Sequence, residues 1–379
     1  MGSSRRAVGS QTTTDAGALV RLFPESLENA HYKIPSVEAA MELIAWIATR
    51  ASLVSTFDLV ILSTYSRGIR LGHMSAVKTK TEELKETIAK LDLETYLNEL
   101  DEQGYTVVPP SVTRVSEAQI EKLTQLLLDE SEKKVGCKFT VESGPECKLD
   151  YGDYPGALER LSGAKPSQFQ LVQLCNIDRA FRDLAINQAS TTILHHLIGA
   201  IGSPLFGGES WAARFSSFNS FIKWQGEGYG KSLGLHCDQG GVPLPWGEKA
   251  LNANCTWCLT DYTHEGGAFA CVPGSHLRKS HPGPDAADEA IPVECPRGSL
   301  IAFHGALWHG AYPKSTPGLR VTIANYFRHT SISPQDDIPN YFPRELANDC
   351  SDPDTFKLLA GFGSPYQAFA LPFPRAVNA

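Results

Sequence analysis

The chain has 379 residues, 42% of them hydrophobic and 20% charged, a globular balance with enough apolar material for one large catalytic domain with extensions or for two small domains. Its formal charge of −8 argues against a nucleic-acid partner, because affinity for a phosphate backbone rests on clustered Lys and Arg. The opening MGSSRRAVGSQTTTDAG has no apolar core of a signal peptide. Arg6 stands where a myristoylation pattern needs Ser or Thr, and the closing AVNA is not a peroxisomal tripeptide. A reducing, cytoplasmic compartment is the expectation. Cys137/Cys147 and Cys255-x-x-Cys258 are the most metal-like cysteine pairs. The second has no partner pair at zinc-finger spacing, and it lies in a strand-like run where side chains three apart face opposite ways. Structural thiols are expected.

Residues 1–16 are polar and small, a composition that favours disorder. The most apolar stretch, 39–66, is interrupted by Glu42, Arg50 and Asp58, so it reads as buried helix within a helical pattern over 36–70 and not as a membrane span. A helix is predicted over 79–103. Thr79-x-x-Glu82 is a capping box, Leu84, Ile88, Leu91 and Leu97 form one stripe, and Gly104 is the stop. YTVVPP (105–110) reads as a strand, and Ser116-x-x-Gln119 caps a helix bearing Ile120, Leu123, Leu126 and Leu127. Residues 137–170 read as loop and 178–200 as one helix. Eight short strands follow, at 214–224, 231–236, 253–260, 268–272, 291–294, 299–303, 308–312 and 319–328, separated by Gly/Pro turns. Helices first and strands later give an α+β layout around a jelly roll or other double sheet. The tail, 331–379, reads as mostly irregular, with aromatics packing back onto the core.

GLHCDQGG (234–241) contains His236-x-Asp238, which on extended backbone places an imidazole and a carboxylate on one side. His309, in LWHG, supplies a second imidazole. Two His and one carboxylate make the facial set that leaves coordination positions open on non-haem Fe(II). Arg320 and Thr322 share a face of the late strand LRVTIANYF. A guanidinium and a hydroxyl there suit a carboxylate.

His236-x-Asp238, EGGAFACVPGSHL (265–277), RGSLIAFHGALWHG (297–310) and Arg320 together resemble the phytanoyl-CoA dioxygenase family of Fe(II)- and 2-oxoglutarate-dependent oxygenases. LDEQGYTVVPPSV (100–112) is similar to that family's usual opening. The resemblance covers 93–330 and implies a double-stranded β-helix, jelly-roll and cupin-like, with flanking helices. It implies that His236, Asp238 and His309 are catalytic and ligate iron. Arg320 would hold the distal carboxylate of 2-oxoglutarate, Thr256 would contact this cosubstrate, and Asn254, sharing its face, is a further candidate. The implied reaction consumes O2 and releases succinate and CO2. A carboxylate at 238, where related halogenases carry a small residue, favours hydroxylation, desaturation or ring chemistry.

The expected organisation is an N-terminal helical extension (1–92), an oxygenase domain (93–330) and a C-terminal tail packing on the core (331–379). The expected substrate is a small organic metabolite, with no nucleic-acid or membrane partner. The extension and tail point to specialised metabolism or homo-oligomerisation. Two other readings use the same residues: a cupin-type metalloenzyme that leaves Arg320 without a cosubstrate, and a non-catalytic relative acting as a binding protein. His304 is read as structural or supporting, His276 as a turn anchor, and His195 and His196 as helix residues. Trp246 is read as either a pocket cap or sheet packing. Arg278 and Lys279 are read as a solvated loop near the pocket mouth.

Overall fold

The computed structural model describes residues 78–149, 167–203 and 208–362. The helical pattern at 36–70 and the last part of the tail lie outside them. The compact unit that contains the described residues begins at Lys78.

Helix α1 (Lys80–Leu91) starts at the Thr79/Glu82 capping box, in which each partner satisfies a backbone donor of the other. The helix expected to run to residue 103 breaks at Asp92, which is left-handed (φ 54°), a conformation that a short polar side chain tolerates. The break lets Leu93 bury completely, and α2 (Glu94–Gln103) resumes until Gly104. Strand β1 (Tyr105–Val108) follows, then α3 (Glu117–Val135), capped by Ser116 and Gln119. Cys137 and Cys147 form a disulfide across a small hairpin, which corrects the expectation of structural thiols at that pair. The other seven cysteines are free and buried. Strand β2 (Gln168–Leu171) emerges from the end of the predicted loop. The single helix expected over 178–200 is two, α4 (Arg179–Ala185) and α5 (Gln188–Ile198). Asn187 restarts the second by accepting from the backbone N–H groups of Ala189 and Ser190 (3.0 and 3.3 Å).

Ala200–Ser203 and Gly208–Trp211 pair as a small hairpin, and the strands of the two larger sheets are β3 (Ala213–Lys223), β4 (Asn252–Cys258), β5 (Phe269–Cys271), β6 (Ile291–Val293), β7 (Leu300–His304), β8 (His309–Ala311) and β9 (Arg320–His329). They build an antiparallel sheet in the order β1-β7-β4-β9-β3-β2 and a second one, β6-β5-β8. The fold is α+β. Alternation along each strand divides the large sheet. One face, with Cys255, Trp257, Ala302 and Ile323, joins the helical core beneath α5. The other, with Cys258, Ile301 and Phe303, packs on Phe269, Cys271 and Val293 around the small sheet. Cys255 and Cys258 therefore lie in different cores. The tail is less irregular than expected: α6 (Pro353–Leu359) places Phe356 against Phe215 and Phe342, at 5.5 and 5.3 Å between ring centroids. No described helix is long and apolar enough to cross a membrane.

Candidate metal centre

His236, Asp238 and His309 converge. One ligand atom from each lies within 4.8 Å of the others. The Nε2 atoms of His236 and His309 are 3.8 and 3.7 Å from Asp238 Oδ1. The ring orientations follow from one local device used twice. His236 Nδ1 lies 2.9 Å from Gly234 O, and His309 Nδ1 lies 3.0 Å from Leu307 O. A carbonyl only accepts, so each Nδ1 carries a proton and each Nε2 is the nitrogen turned toward an ion. Burial, then the neighbouring His236, pushes His309 down to about 4, which keeps it in the neutral form that ligation needs. His236 is 59% exposed, against 12% for Asp238 and 8% for His309. The shared point is thus walled on one side and open on the other.

The strand expected over 231–236 does not form. Left-handed Gly230, Leu233 and Gly234 (φ 57°, 53° and 64°) coil the chain instead. It then runs along β8, where His236 and His309 exchange backbone hydrogen bonds (2.9 and 2.8 Å) and Ala311 N donates to Leu233 O (3.0 Å). Cys237 is extended (φ −130°, ψ 138°), so His236 and Asp238 still fall on one side. A short 3-10 turn begins at Asp238 and is pinned by Gln239 N donating to Gly305 O (2.7 Å). Two residues escaped sequence reasoning here. Gly310 lets the 233–236 segment approach, because a Cβ on it would overlap the Leu233 carbonyl. Tyr326 steadies the carboxylate-bearing residue, its hydroxyl donating to Asp238 O (3.1 Å). The only sequence signal for Gly310 was its place directly after His309.

Asn254 and Thr256 share one face of β4 and lead to the Asp238 carboxylate. Thr256 Oγ1 donates to Asn254 Oδ1 (3.1 Å), and Asn254 Nδ2 stands 3.5 Å from Asp238 Oδ2. Thr322 and Arg320 occupy the other end of the face. Thr322 Oγ1 hydrogen-bonds Tyr262 Oη, and Arg320 lies over the Tyr262 ring at 5.1 Å. Arg320 is buried, donates from Nη1 to Gly267 O (2.6 Å), and leaves Nε without a partner. It makes no ion pair among the described residues.

The remaining candidates sit apart. His304 is buried and pushed down to about 4, chiefly by burial. Its Nδ1 accepts from Ala306 N (3.0 Å), and its ring faces His276 at 5.4 Å. His276 Nε2 donates to Asp101 O (3.1 Å). Both line a cavity of about 370 Å³ with Gln239, Trp246 and Lys279. Trp246 is buried by packing, its Nε1 donating to Val242 O (2.8 Å). Arg278 is paired with Glu289 (2.6 Å) and stacked over Trp308. His195 stacks on Trp211 at 4.0 Å, and His196 meets Asp101 at 2.8 Å.

The sequence model of the phytanoyl-CoA dioxygenase family matches residues 100–322. Dioxygenase af480 of Aspergillus fumigatus is 28% identical over 199 residues, which are 52% of this chain and 59% of that protein. Dioxygenase trt7 of Aspergillus terreus is 39% identical over 71 residues, 18% of this chain and 24% of that protein. The matches thus span less than two thirds of these curated relatives. Among solved structures, HygX from Streptomyces hygroscopicus with nickel and 2-oxoglutarate bound is 15% identical with a TM-score of 0.43, over 64% of this chain and 88% of that chain.

Proposed function

The chain belongs to the phytanoyl-CoA dioxygenase family, a group of Fe(II)- and 2-oxoglutarate-dependent oxygenases, and from that premise we propose that it oxidises a small organic molecule by hydroxylation, desaturation or ring chemistry, as in specialised metabolism. In this reading the two sheets are the walls of a double-stranded β-helix, and the cleft between them is the active site.

The donor set fits iron: two imidazoles, each with Nδ1 held by a backbone carbonyl, and one carboxylate, converging on the same point. His236, Asp238 and His309 would hold Fe(II), which together with 2-oxoglutarate and O2 supplies the oxidising power to break a substrate C–H bond. The chain's own work is placement. The carbonyls of Gly234 and Leu307 lock the two rings. Asn254 and Thr256 orient the free oxygen of Asp238. Arg320, buried beside Thr322 with an unpartnered Nε, offers the cosubstrate's distal carboxylate a charge-assisted hydrogen bond that no described side chain takes. The exposed side of His236 is the approach left for substrate.

The observation that carries this reading is the convergence of three ligand atoms with both Nδ1 atoms already committed elsewhere. It is tested by incubation with Fe(II), 2-oxoglutarate and air. Wild-type protein is expected to release succinate, and Asp238→Ala to release none. A wild-type protein that consumes no 2-oxoglutarate would contradict the reading.

A further inference from the structure

Lys223, the last residue of β3, is fully buried. It stands opposite Arg320 in the ladder between β3 and β9, so the two side chains leave the same face of the sheet. Their heads converge. Lys223 Nζ donates to Tyr312 O (2.6 Å), and Arg320 Nη1 donates to Gly267 O (2.6 Å). The two acceptor residues are in contact, since a Cβ on Gly267 would lie 3.1 Å from Tyr312 O. A third cation, Lys314, is also buried, its Nζ held by Thr316 Oγ1 (2.8 Å) and Pro317 O (3.0 Å). Among the described residues no carboxylate pairs with any of the three.

Buried charges are ordinarily paired or neutralised. Arg320 cannot give up its proton, and its Nε has no acceptor. Lys223 can. Burial first, then Arg320 and Lys314, pushes it down to about 6. Among the described residues no anion reaches the cluster. Resting on the assignment of 2-oxoglutarate to this cleft, we propose that Lys223 is a second binding residue for the cosubstrate's distal carboxylate, alongside Arg320. It makes that end of the pocket selective for a dicarboxylic 2-oxo acid.

One consequence is specific to a lysine in this setting. The groups facing Lys223 are the cations Arg320 on β9 and Lys314 in the loop after β8. Neutral Gln168 stands beside it on β2, in contact with Tyr229 (3.0 Å), while Glu227 of the neighbouring loop is exposed. An arriving carboxylate supplies the missing opposite charge, so Lys223 takes up a proton as the ligand binds. Uptake is then about one proton per molecule bound near pH 7.5.

Isothermal titration of the Fe(II)-loaded protein with 2-oxoglutarate, without oxygen and in two buffers of different ionisation enthalpy, reads affinity and proton count together. Wild type is expected to bind with proton uptake. Lys223→Met is expected to bind about ten- to a hundredfold more weakly, with the uptake gone. 2-Oxopentanoate, which lacks the distal carboxylate, is expected to bind both proteins alike. The metal-free Lys223→Met protein should also melt at a higher temperature, because an apolar chain replaces a buried amine. Should that variant fail to fold, Lys223→Gln keeps a neutral donor and must still lose the proton uptake. Unchanged affinity and proton count in the variant overturn the role of Lys223 while leaving the cosubstrate assignment standing. Equal weakening toward 2-oxopentanoate likewise overturns it. A wild type that binds iron but not 2-oxoglutarate overturns the assignment itself.

Discussion

Two histidine pairs lie close together in this protein, His236 with His309 and His276 with His304, and they are built for different ends. Ring centroids are 4.3 Å apart in the first pair and 5.4 Å in the second, so proximity does not separate them. Commitment of the nitrogens does. In the first pair each Nδ1 donates to the carbonyl two residues earlier, and both Nε2 atoms face Asp238. In the second pair His304 spends the lone pair of Nδ1 on Ala306 N, His276 donates through Nε2 to a backbone carbonyl and leaves Nδ1 without a partner, and among the described residues no carboxylate joins them in a metal-like cluster. What distinguishes the first pair is that two available nitrogens and a carboxylate converge on one point, which a count of histidines does not reveal.

The contrast can be broken most forcefully at the carboxylate. Asp238→Ala is expected to abolish stoichiometric iron binding in equilibrium dialysis, while the thermal transition persists. Gly310→Ala comes next. Its Cβ would displace the segment that carries His236 along β8, and iron affinity is expected to fall by about ten- to a hundredfold with little change in secondary structure by circular dichroism. His304→Leu is the opposite kind of change. Denaturant melts should show a loss of about 1–3 kcal/mol, because Ala306 N–H is left buried without its acceptor, and iron stoichiometry should not move.

The same variant carries a pH signature. His304 is held at about 4 in the folded protein, against 6.5 for the ordinary side chain. Between those values the unfolded chain binds a proton that the folded one refuses. Stability of the metal-free protein therefore falls as pH drops from 6.5 toward 4, and His304→Leu should lessen that slope. Tyr326→Phe is the smallest change. Losing one hydroxyl donor to Asp238 O should weaken iron binding by no more than about tenfold.

Sequence reading located much of this geometry, for reasons visible in particular residues. Seven of the eight strand expectations after residue 211 have a counterpart, because alternation and Gly/Pro turns are local signals. The eighth, 231–236, fails because glycines permit a left-handed coil there that an apolar pattern does not announce. The expectation that His236 and Asp238 share a side survives that failure, since it needs only Cys237 to be extended. Lys223 was invisible. In SFIKW it is one residue of the strand expected over 214–224, and its pairing with Arg320, nearly a hundred positions away, is a property of the ladder. Asn187 and Asp92 broke predicted helices because a capping side chain and a left-handed residue act within one turn, too briefly to disturb the apolar period.

In the proposed site His309, and not His304, completes the iron ligands that let the protein bind a 2-oxo acid. Anaerobic addition of Fe(II) and 2-oxoglutarate tests it directly through the visible charge-transfer band of a chelated 2-oxo acid. The band is expected in wild type and in His304→Leu, and is expected to be absent in His309→Ala. A band that survives in His309→Ala, or that vanishes in His304→Leu while the protein remains folded, would contradict it.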